Sequence, residues 1–373
     1  MKKIDMHEIS IVHDWGYGIN YKYSVLCKIN IITNEIQEVQ SILNNRDRLQ
    51  YVYATEFYRH ILATESAVFF IDTCTNKLLI FDEDLHLVQE LILQEKNENM
   101  NLIGMDSTSV FVYGVSSGIV FEVNIKSKQI KKYKIPEKYE GKINSMEIKI
   151  IDHSIWVPGY IGNIVIEIDV ISGNIYEHEI DICKGDICLC EKDEKNFWLC
   201  TQYELIVWDK KSNKIKQIWE LPYEIAHNDL KMPFYYSSIE NESLWLFPLR
   251  VDFILRMKLQ EKIIEIYKVQ IDKKISKREK IFSYLSSCKN RKTIYGMNGN
   301  MQNVSINVEN GEIQYEKYLI EDGLYEQMKK QFYMYNNCLD ERMFTISELL
   351  DDTYKMNSKK EQIDIGKKIH RCT

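Results

Sequence analysis

Three neighbouring segments decide the fold: Ile155-Trp156-Val157-Pro158, then, after a short turn, Ile164-Val165-Ile166-Glu167-Ile168-Asp169, and then Ser172-Gly173-Asn174-Ile175-Tyr176. Two short runs rich in β-branched and aromatic residues are separated by Gly159, Gly162 and Asn163. A second tight turn follows at Ser172-Gly173. This pattern predicts consecutive antiparallel strands joined by hairpins.

The same pattern recurs along most of the chain. Its anchor is the aromatic residue of the strand before each first hairpin, at Phe69, Phe111, Trp156, Trp198, Trp245 and Tyr295. The anchors are about 42 to 50 residues apart, which is the spacing of four-stranded propeller blades. The middle strands are almost continuously apolar, as expected of strands covered on both faces. The sequence therefore predicts an all-β fold, a β-propeller of seven blades over residues 1–320, with six blades as the alternative.

The first repeat is weakly marked. We place its anchor strand at Ile9-Ser10-Ile11-Val12, followed by strands at Tyr23 to Ile29 and at Ile36 to Val39. The segments that precede the anchors in other repeats are predicted to be the innermost strands: 57–63, 143–151, 185–190, 235–239 and 282–286.

The pattern changes after residue 320. Leu324, Met328, Phe332 and Tyr335 lie at helical spacing, and Thr345-Ile346-Ser347-Glu348 is a capping box. We expect residues 321–373 to form a short C-terminal helical appendage packed on the propeller. The alternative is a docking tail for a partner.

Composition narrows the class of protein. The chain has 373 residues and a formal net charge of −7, which disfavours nucleic acid as the main partner because phosphate binding requires clustered Lys and Arg. The first residues lack the apolar run of a secretory signal, and no segment has the length of a membrane span. Nine cysteines, an odd number at irregular spacing, are typical of a reducing compartment. We therefore expect a cytoplasmic protein without a membrane span.

Motifs for catalysis or metal binding are weak. The spacing of Cys183, Cys188, Cys190 and Cys200 contains no zinc knuckle, so buried packing is the favoured interpretation. The eight histidines form no HxH or HExxH pair, and neither a GxSxG motif nor a P-loop is present. We assign no catalytic residue, no metal ligand and no cofactor.

The candidate binding residues open the third strand of each repeat or lie in the turn before it. A propeller brings such turns to one face, around a central pocket. Two interpretations are open for these residues: ordinary turn chemistry, or a ring of polar groups that binds a ligand. Tyrosines with an arginine suit a protein, a peptide or a glycan, because they combine apolar area with hydrogen bonds. The predicted ligand-binding residues are Asn76, Tyr113, Tyr160, Asn163, Tyr203, Glu204, Arg250, Asp252 and Asn303, with Gly118 at the equivalent position of one repeat.

The repeat unit from Trp156 through Asn163, Ile168 and Asp169 to Gly173 and Ile175 resembles propellers of the virginiamycin B lyase-like superfamily and related bacterial repeats. The resemblance covers roughly residues 10–320 and implies a bacterial β-propeller. The lyase of that superfamily is a magnesium-dependent enzyme that uses a histidine with nearby glutamates. This sequence has no matching motif, so no catalytic residue is carried over from the resemblance.

The main functional hypothesis is a non-enzymatic binding or scaffold propeller that engages a protein, peptide or glycan partner through its loop face and central pocket. One alternative is a metal-dependent lyase or hydrolase that uses carboxylates such as Glu204 and Asp252 on the axis. Another is an accessory factor for a biosynthetic enzyme, docked through the C-terminal helices. The sequence specifies no oligomeric state.

Overall fold

The computed structural model describes most of the propeller: residues 1–4, 6–20, 23, 25–42, 59–72, 75–94, 99–139, 142–143, 147–159, 162–181, 184–226, 234–248, 251–269, 282–288, 292–298 and 303–334.

Strands make up nearly all of the regular structure. The first part of the chain contains β1 (Lys2–Ile4), β2 (Glu8–Val12), β3 (Trp15–Asn20), β4 (Val25–Asn30), β5 (Glu35–Ser41), β6 (Ile61–Ala63), β7 (Val68–Asp72), β8 (Lys77–Phe81), β9 (Leu87–Ile92), β10 (Met100–Met105), β11 (Ser109–Gly114), β12 (Ile119–Asn124), β13 (Ile130–Lys134), a 3₁₀ turn (Glu137–Tyr139), β14 (Lys149–Ile151) and β15 (Ser154–Pro158). The second part contains β16 (Ile164–Asp169), β17 (Ile175–Glu179), β18 (Leu189–Lys192), β19 (Phe197–Cys200), β20 (Glu204–Asp209), β21 (Lys214–Glu220), α1 (Tyr223–Ala226), β22 (Phe234–Glu240), β23 (Ser243–Pro248), β24 (Phe253–Lys258), β25 (Ile263–Lys268), β26 (Phe282–Cys288), β27 (Thr293–Asn298), β28 (Asn303–Asn307), β29 (Ile313–Glu316), β30 (Tyr318–Ile320) and α2 (Asp322–Met334).

These strands form seven sheets, and the four strands of each blade of the resulting β-propeller pair antiparallel. Blade 1 contains β2 to β5, and each later blade contains the next four strands, ending with β26 to β29 in blade 7. Within a blade the first strand is innermost and the fourth is outermost. The prediction of a seven-bladed propeller with a short C-terminal helical extension is confirmed.

The hydrophobic core of the described residues is divided into seven clusters, one between each pair of neighbouring blades. Successive residues of a middle strand contribute to different clusters, as Phe69 packs towards blade 3 and Phe70 towards blade 1. Side chains alternate between the two faces of a strand, so both faces are buried when a blade lies on either side. This is why the middle strands are apolar almost without interruption.

The ring closes through the two ends of the propeller sequence. The strand β30 pairs in parallel with β5, the outermost strand of blade 1, and β1 pairs antiparallel with β30. Blade 1 therefore belongs to a six-stranded sheet. Tyr295 of blade 7 packs into the cluster of blade 1, which joins the last blade to the first.

The prediction for the first repeat was wrong by one strand. Ile9-Ser10-Ile11-Val12 lies in β2, the innermost strand, and the second strand is β3. Gly16 and Gly18 interrupt the apolar pattern of β3. A Cβ atom at Gly16 would come within 3.3 Å of side-chain atoms of Ile31 and Ile9, so close packing accounts for a glycine that hides the strand from sequence reading.

The turn between the third and fourth strands has the same chemistry in six blades. An Asn or Asp at the end of the third strand accepts a hydrogen bond from a backbone N–H two residues ahead, and in some blades also from the next one. These residues are Asn30, Asp82, Asn124, Asp169, Asp209 and Asn307.

The helix α2 packs on blade 1. Met328 is fully buried in the blade 1 cluster, and Leu324 and Tyr325 pack against that cluster. The hydroxyl groups of Tyr325 and Tyr23 are 2.8 Å apart. The capping box at Thr345 and the residues that follow it lie outside the described residues. Among the helices that are described, none combines the length and apolar character needed to span a bilayer.

Candidate functional site

The turns between the second and third strands lie at the same end of the propeller as the connections between blades, because strand direction alternates within each blade. We call this end the loop face. On it, the backbone N–H that follows an outermost strand donates to a carbonyl in the turn of the same blade, at 2.7 to 3.0 Å. The accepting residues are Asn76, Gly118, Asn163, Tyr203 and Asp252.

The predicted binding residues differ in how deeply their side chains are buried. Asn76 is fully buried and has a φ of 54°, a left-handed conformation that asparagine tolerates in turns. Asn163 is half-buried and Asp252 is exposed, so their side chains are accessible on the loop face. Tyr160 and Arg250 lie outside the described residues.

Two of the predicted residues are held inside the protein. Tyr113 is 3% exposed and packs in the cluster between blades 3 and 4. Asn303 is 1% exposed, and its side chain accepts a hydrogen bond from the N–H of Met6 at 2.9 Å and donates one to the carbonyl of Met6 at 2.6 Å. These contacts make Asn303 a clamp between blade 7 and the N-terminal segment.

Two of the predicted residues, Tyr203 and Glu204, lie together in blade 5. A Cβ atom at Gly185 would come 3.0 Å from the Cδ2 atom of Tyr203, so the tyrosine ring lies against the glycine backbone. The Oε1 atom of Glu204 is 4.0 Å from the Nζ atom of Lys184, and the same ammonium is 3.0 Å from Oε1 of Glu220. The Oε2 atom of Glu204 is buried without a hydrogen-bond partner.

An exposed tyrosine completes this group. Tyr223 opens α1, shortly after the outermost strand of blade 5 ends at Glu220, and is 70% exposed. The Nε2 atom of Gln202 donates to the carbonyl of Ala226 at 2.8 Å, which ties α1 to the turn that carries Tyr203. We call Lys184, Tyr203, Glu204, Glu220 and Tyr223 the blade 5 loop cluster. It combines two aromatic rings with an ammonium and two carboxylates.

A second polar group, which sequence reasoning missed, lies on the propeller axis. The innermost strands β14, β18 and β22 of blades 4, 5 and 6, with the residues just before β14, contribute Glu147, Lys149, Glu191, Tyr236 and Ser237. Arg59 of blade 2 approaches the same point, with its guanidinium carbon 5.9 Å from the centre of the Tyr236 ring. We call these six residues the axial cluster.

Lys149 is the centre of the axial cluster. Its Nζ atom lies 2.9 Å from Oε1 of Glu191 and donates to the carbonyl of Ser237 at 2.9 Å. It also lies 3.5 Å from Oε2 of Glu147. Burial alone would lower the pKa of Lys149, but the neighbouring carboxyl groups of Glu147 and Glu191 outweigh burial and raise that pKa above its ordinary value. Lys149 is therefore a charged ammonium that links three blades.

The ring of Tyr236 lies close to both cations of the cluster, Lys149 and Arg59. The Nζ atom of Lys149 is 5.3 Å from the ring centre, within the range of a cation–π contact. Burial raises the pKa of the Tyr236 hydroxyl, so it stays protonated at neutral pH. The backbone N–H of Arg59 donates to Oδ1 of Asn101 at 2.8 Å, which positions the arginine at the axis.

The magnesium ion implied by the family resemblance does not fit the described residues. No three Asp, Glu, His or Cys side chains of the described chain converge as a set of metal ligands. The carboxyl groups of Glu147 and Glu191 converge on the ammonium of Lys149, which already supplies a positive charge at this point. At Glu204 the nearest cation is Lys184. We derive no metal-dependent step from this site.

A signal for the axial cluster is present in the sequence. Polar and apolar residues alternate at Glu147-Ile148-Lys149-Ile150, and the two isoleucines enter the cluster between blades 3 and 4. In an innermost strand this alternation places the polar side chains towards the axis.

The cysteines near β18 have the expected packing, since Cys188, Cys190 and Cys200 are buried free thiols. Cys183 lies outside the described residues.

Comparison with known proteins supports the fold. No protein-family profile matches the chain, and no curated protein matches it. Among solved structures, a catalytically inactive virginiamycin B lyase from Staphylococcus aureus with quinupristin is 14% identical, with a TM-score of 0.56 over 82% of this chain and 97% of the lyase. BamB from Moraxella catarrhalis is 11% identical, with a TM-score of 0.50 over 82% of this chain and 98% of BamB.

A third similar structure is the propeller domain of Cps50 (Swd1) from Myceliophteria thermophila, which is 9% identical, with a TM-score of 0.54 over 85% of this chain and 99% of that domain. At such low identities these likenesses establish a shared β-propeller fold.

Proposed function

We propose that the protein is a binding propeller that engages a protein, peptide or glycan partner through its loop face. The observation that carries this proposal is the blade 5 loop cluster, in which Tyr223 is 70% exposed on α1 and Lys184 pairs with Glu220 and Glu204 on the same blade. Exposed aromatic rings with adjacent hydrogen-bonding groups are enriched at binding surfaces. Asn163 and Asp252 in the neighbouring blades extend the same face with accessible polar side chains.

The axial cluster supports binding on the outer surface of the loop face. The polar ends of Lys149, Glu147 and Glu191 are directed at each other at the axis. A partner therefore gains most from the turns and connections around the axis, where side chains remain accessible. We propose that the protein acts in the cytoplasm, because its cysteine content and buried free thiols are typical of a reducing compartment.

We propose that the boundary between the propeller and the C-terminal appendage lies after residue 320, where β30 ends its pairing with β1 and β5. Packing of Met328 and Tyr325 on blade 1 supports a structural role for α2 as an appendage of the propeller.

The test is a glycan array and a random-peptide display library, both screened with the full chain. The variant Tyr223→Ala removes the exposed ring of the blade 5 loop cluster. The variant Tyr176→Ala is the matched control, because Tyr176 is 45% exposed but lies on β17, the outermost strand of blade 4. We expect ligands that bind the wild type and Tyr176→Ala and that bind Tyr223→Ala at least tenfold more weakly. Two empty screens, or equal binding by both variants, would count against the proposal.

A further inference from the structure

The hydrogen bonds of the Ser237 hydroxyl group require one additional proton in the axial cluster. The Oγ atom of Ser237 lies 2.6 Å from Oε2 of Glu147 and 2.7 Å from Oε1 of Glu191. A serine hydroxyl has one hydrogen, so it can donate to one of these oxygens. The other short contact would join two hydrogen-free oxygens unless that carboxyl group itself carries a proton and donates to Ser237.

The surroundings of the two carboxyl groups decide which one carries the proton. Glu191 has the shorter ion pair with Lys149, at 2.9 Å against 3.5 Å for Glu147, and its side chain is 13% exposed. Glu147 is fully buried, and its Oε1 atom has no hydrogen-bond partner. A buried oxygen without a partner costs much less free energy in a neutral carboxyl group than in a carboxylate.

We propose that Glu147 is protonated at neutral pH and that Glu147, Ser237 and Glu191 form a proton-binding site on the propeller axis. In this arrangement Oε2 of Glu147 donates to Ser237, and Ser237 donates to the ionised Glu191. The ammonium of Lys149 then neutralises Glu191 alone, so the three inner strands share one ion pair and one proton. Burial raises the pKa of Glu147, which agrees with this assignment.

The charged and titratable groups around Glu147 come from several blades. Lys149 is 3.5 Å from Glu147 and 2.9 Å from Glu191, and the guanidinium carbon of Arg59 is 5.9 Å from the centre of the Tyr236 ring. The thiols of Cys190 and Cys200 interact electrostatically with Glu147, and burial raises the pKa of both, so they are uncharged near neutral pH. Among the described residues, Lys149 is thus the close cation that opposes protonation, and Glu191 already engages it.

The proton site makes the stability of the ring depend on pH in a defined direction. Above the ordinary pKa of 4.5 the unfolded chain releases the Glu147 proton, whereas the folded chain keeps it. The folded state then binds more protons than the unfolded state, so stability falls as pH rises towards the raised pKa. Over this window the unfolding equilibrium constant of the wild type should rise by up to about tenfold per pH unit relative to a variant without the proton.

The experiment compares the full-length wild type with Glu147→Gln, Glu191→Gln and Glu194→Gln. A glutamine amide at position 147 can donate to Ser237 as the protonated carboxyl group does. Glu194 is exposed in the turn after β18, so Glu194→Gln controls for the change in charge. Infrared spectra at pH 7 test for the carbonyl stretch of a protonated carboxyl group, and urea unfolding from pH 5 to pH 8 measures the linked proton.

We expect the protonated-carboxyl band in the wild type and in Glu194→Gln, and its loss in Glu147→Gln. Glu147→Gln should unfold at a urea midpoint equal to or above that of the wild type at pH 8. Glu191→Gln should unfold at a lower midpoint, because Lys149 loses its carboxylate. The proposal is overturned if the band survives in Glu147→Gln or is absent from the wild type. It is also overturned if Glu147→Gln fails to fold or is destabilised as much as Glu191→Gln, since glutamine should replace a protonated glutamate.

Discussion

The Nζ atom of Lys210 lies 2.6 Å from the Oε1 atom of Glu167, and this ion pair joins the third strand of blade 4 to the turn after the third strand of blade 5. Glu167 also accepts hydrogen bonds from Ser154 at 3.0 Å and from His178 at 2.7 Å. Three other pairs of neighbouring blades have a similar contact. In each, a side chain from the third or fourth strand of one blade reaches the turn after the third strand of the next blade. The contacts are Lys28 to Asp84 at 2.6 Å, the Tyr133 hydroxyl to the Val170 carbonyl at 2.9 Å, and Arg256 to the Glu309 carbonyl at 2.7 Å. They tie neighbouring blades together at the end opposite the loop face.

The variant Glu167→Gln should lower the free energy of unfolding by about 1–3 kcal/mol, because a nearly buried carboxylate is lost from three hydrogen bonds. Urea unfolding at pH 7 measures the loss. The matched control is Glu179→Gln, an exposed position on the same outermost strand as His178. Equal stability of the two variants would contradict the role assigned to this contact.

The contribution of Glu167 should also depend on pH. Burial alone would raise the pKa of Glu167, but hydrogen bonds from Lys210, His178 and Ser154 outweigh it and lower that pKa below 4.5. A lowered pKa means that the stabilisation is present above pH 4.5 and is lost as pH falls through the lowered value. The difference in unfolding free energy between wild type and Glu167→Gln should therefore shrink between pH 5 and pH 3. A difference that stays constant over this range would argue against an ionised Glu167.

The variant Asn303→Ala should destabilise the protein by about 1–3 kcal/mol, because both backbone hydrogen-bonding groups of Met6 lose their partner in a buried site. Thermal unfolding measures the effect, with the exposed turn residue Asn174→Ala as control. If Asn303 instead served a ligand, its replacement would leave the stability of the free protein unchanged.

Two glycines in equivalent turns provide a matched pair. Gly173 and Gly311 have φ angles of 74° and 73°, and each follows the third strand of its blade. A Cβ atom at Gly173 meets no heavy atom within 4 Å, whereas a Cβ atom at Gly311 would overlap the ring of Tyr267 in the neighbouring blade. Gly173→Ala should cost about 1 kcal/mol from backbone strain. Gly311→Ala should cost clearly more, and equal losses in urea unfolding would show that Tyr267 moves aside freely.

The variant Met328→Ala should lower the unfolding free energy by about 2–4 kcal/mol, because Met328 is fully buried between α2 and blade 1. The control is Gln327→Ala on the exposed side of the helix. Calorimetry should show a lower transition temperature for Met328→Ala alone. An unchanged transition would mean that α2 adds nothing to the stability of the propeller.

The positions of the turns could be read from local sequence. Asn, Asp and Gly tolerate the backbone angles of tight turns wherever they occur, so Asp169 and Gly173 mark a hairpin without any tertiary information. Strand β3 escaped prediction for the opposite reason. Its glycines are explained by the side chains of Ile31 and Met6 against them, and these contacts exist only in the folded blade.

The candidate site, too, could be predicted from the sequence only in part. The sequence identified the residues that open the third strands, because their position follows from the repeat. It did not separate Asp252, which is exposed, from Asn303, which is committed to Met6. Burial and hydrogen-bond partners depend on which segments meet across the ring, and no repeat period contains that information.

The sequence by itself determined the repeated four-stranded blade and the helical spacing that begins after residue 320, because apolar periodicity and turn residues act over short stretches. It left six blades open as the alternative to seven, and the closed ring decides between them. The tertiary structure alone decided how β1 and β30 close the ring, and which side chains converge on the axis. Glu147, Glu191 and Ser237 belong to three blades and lie up to 90 residues apart in the chain. Their shared chemistry arises because closure of the ring places three innermost strands around a single axis.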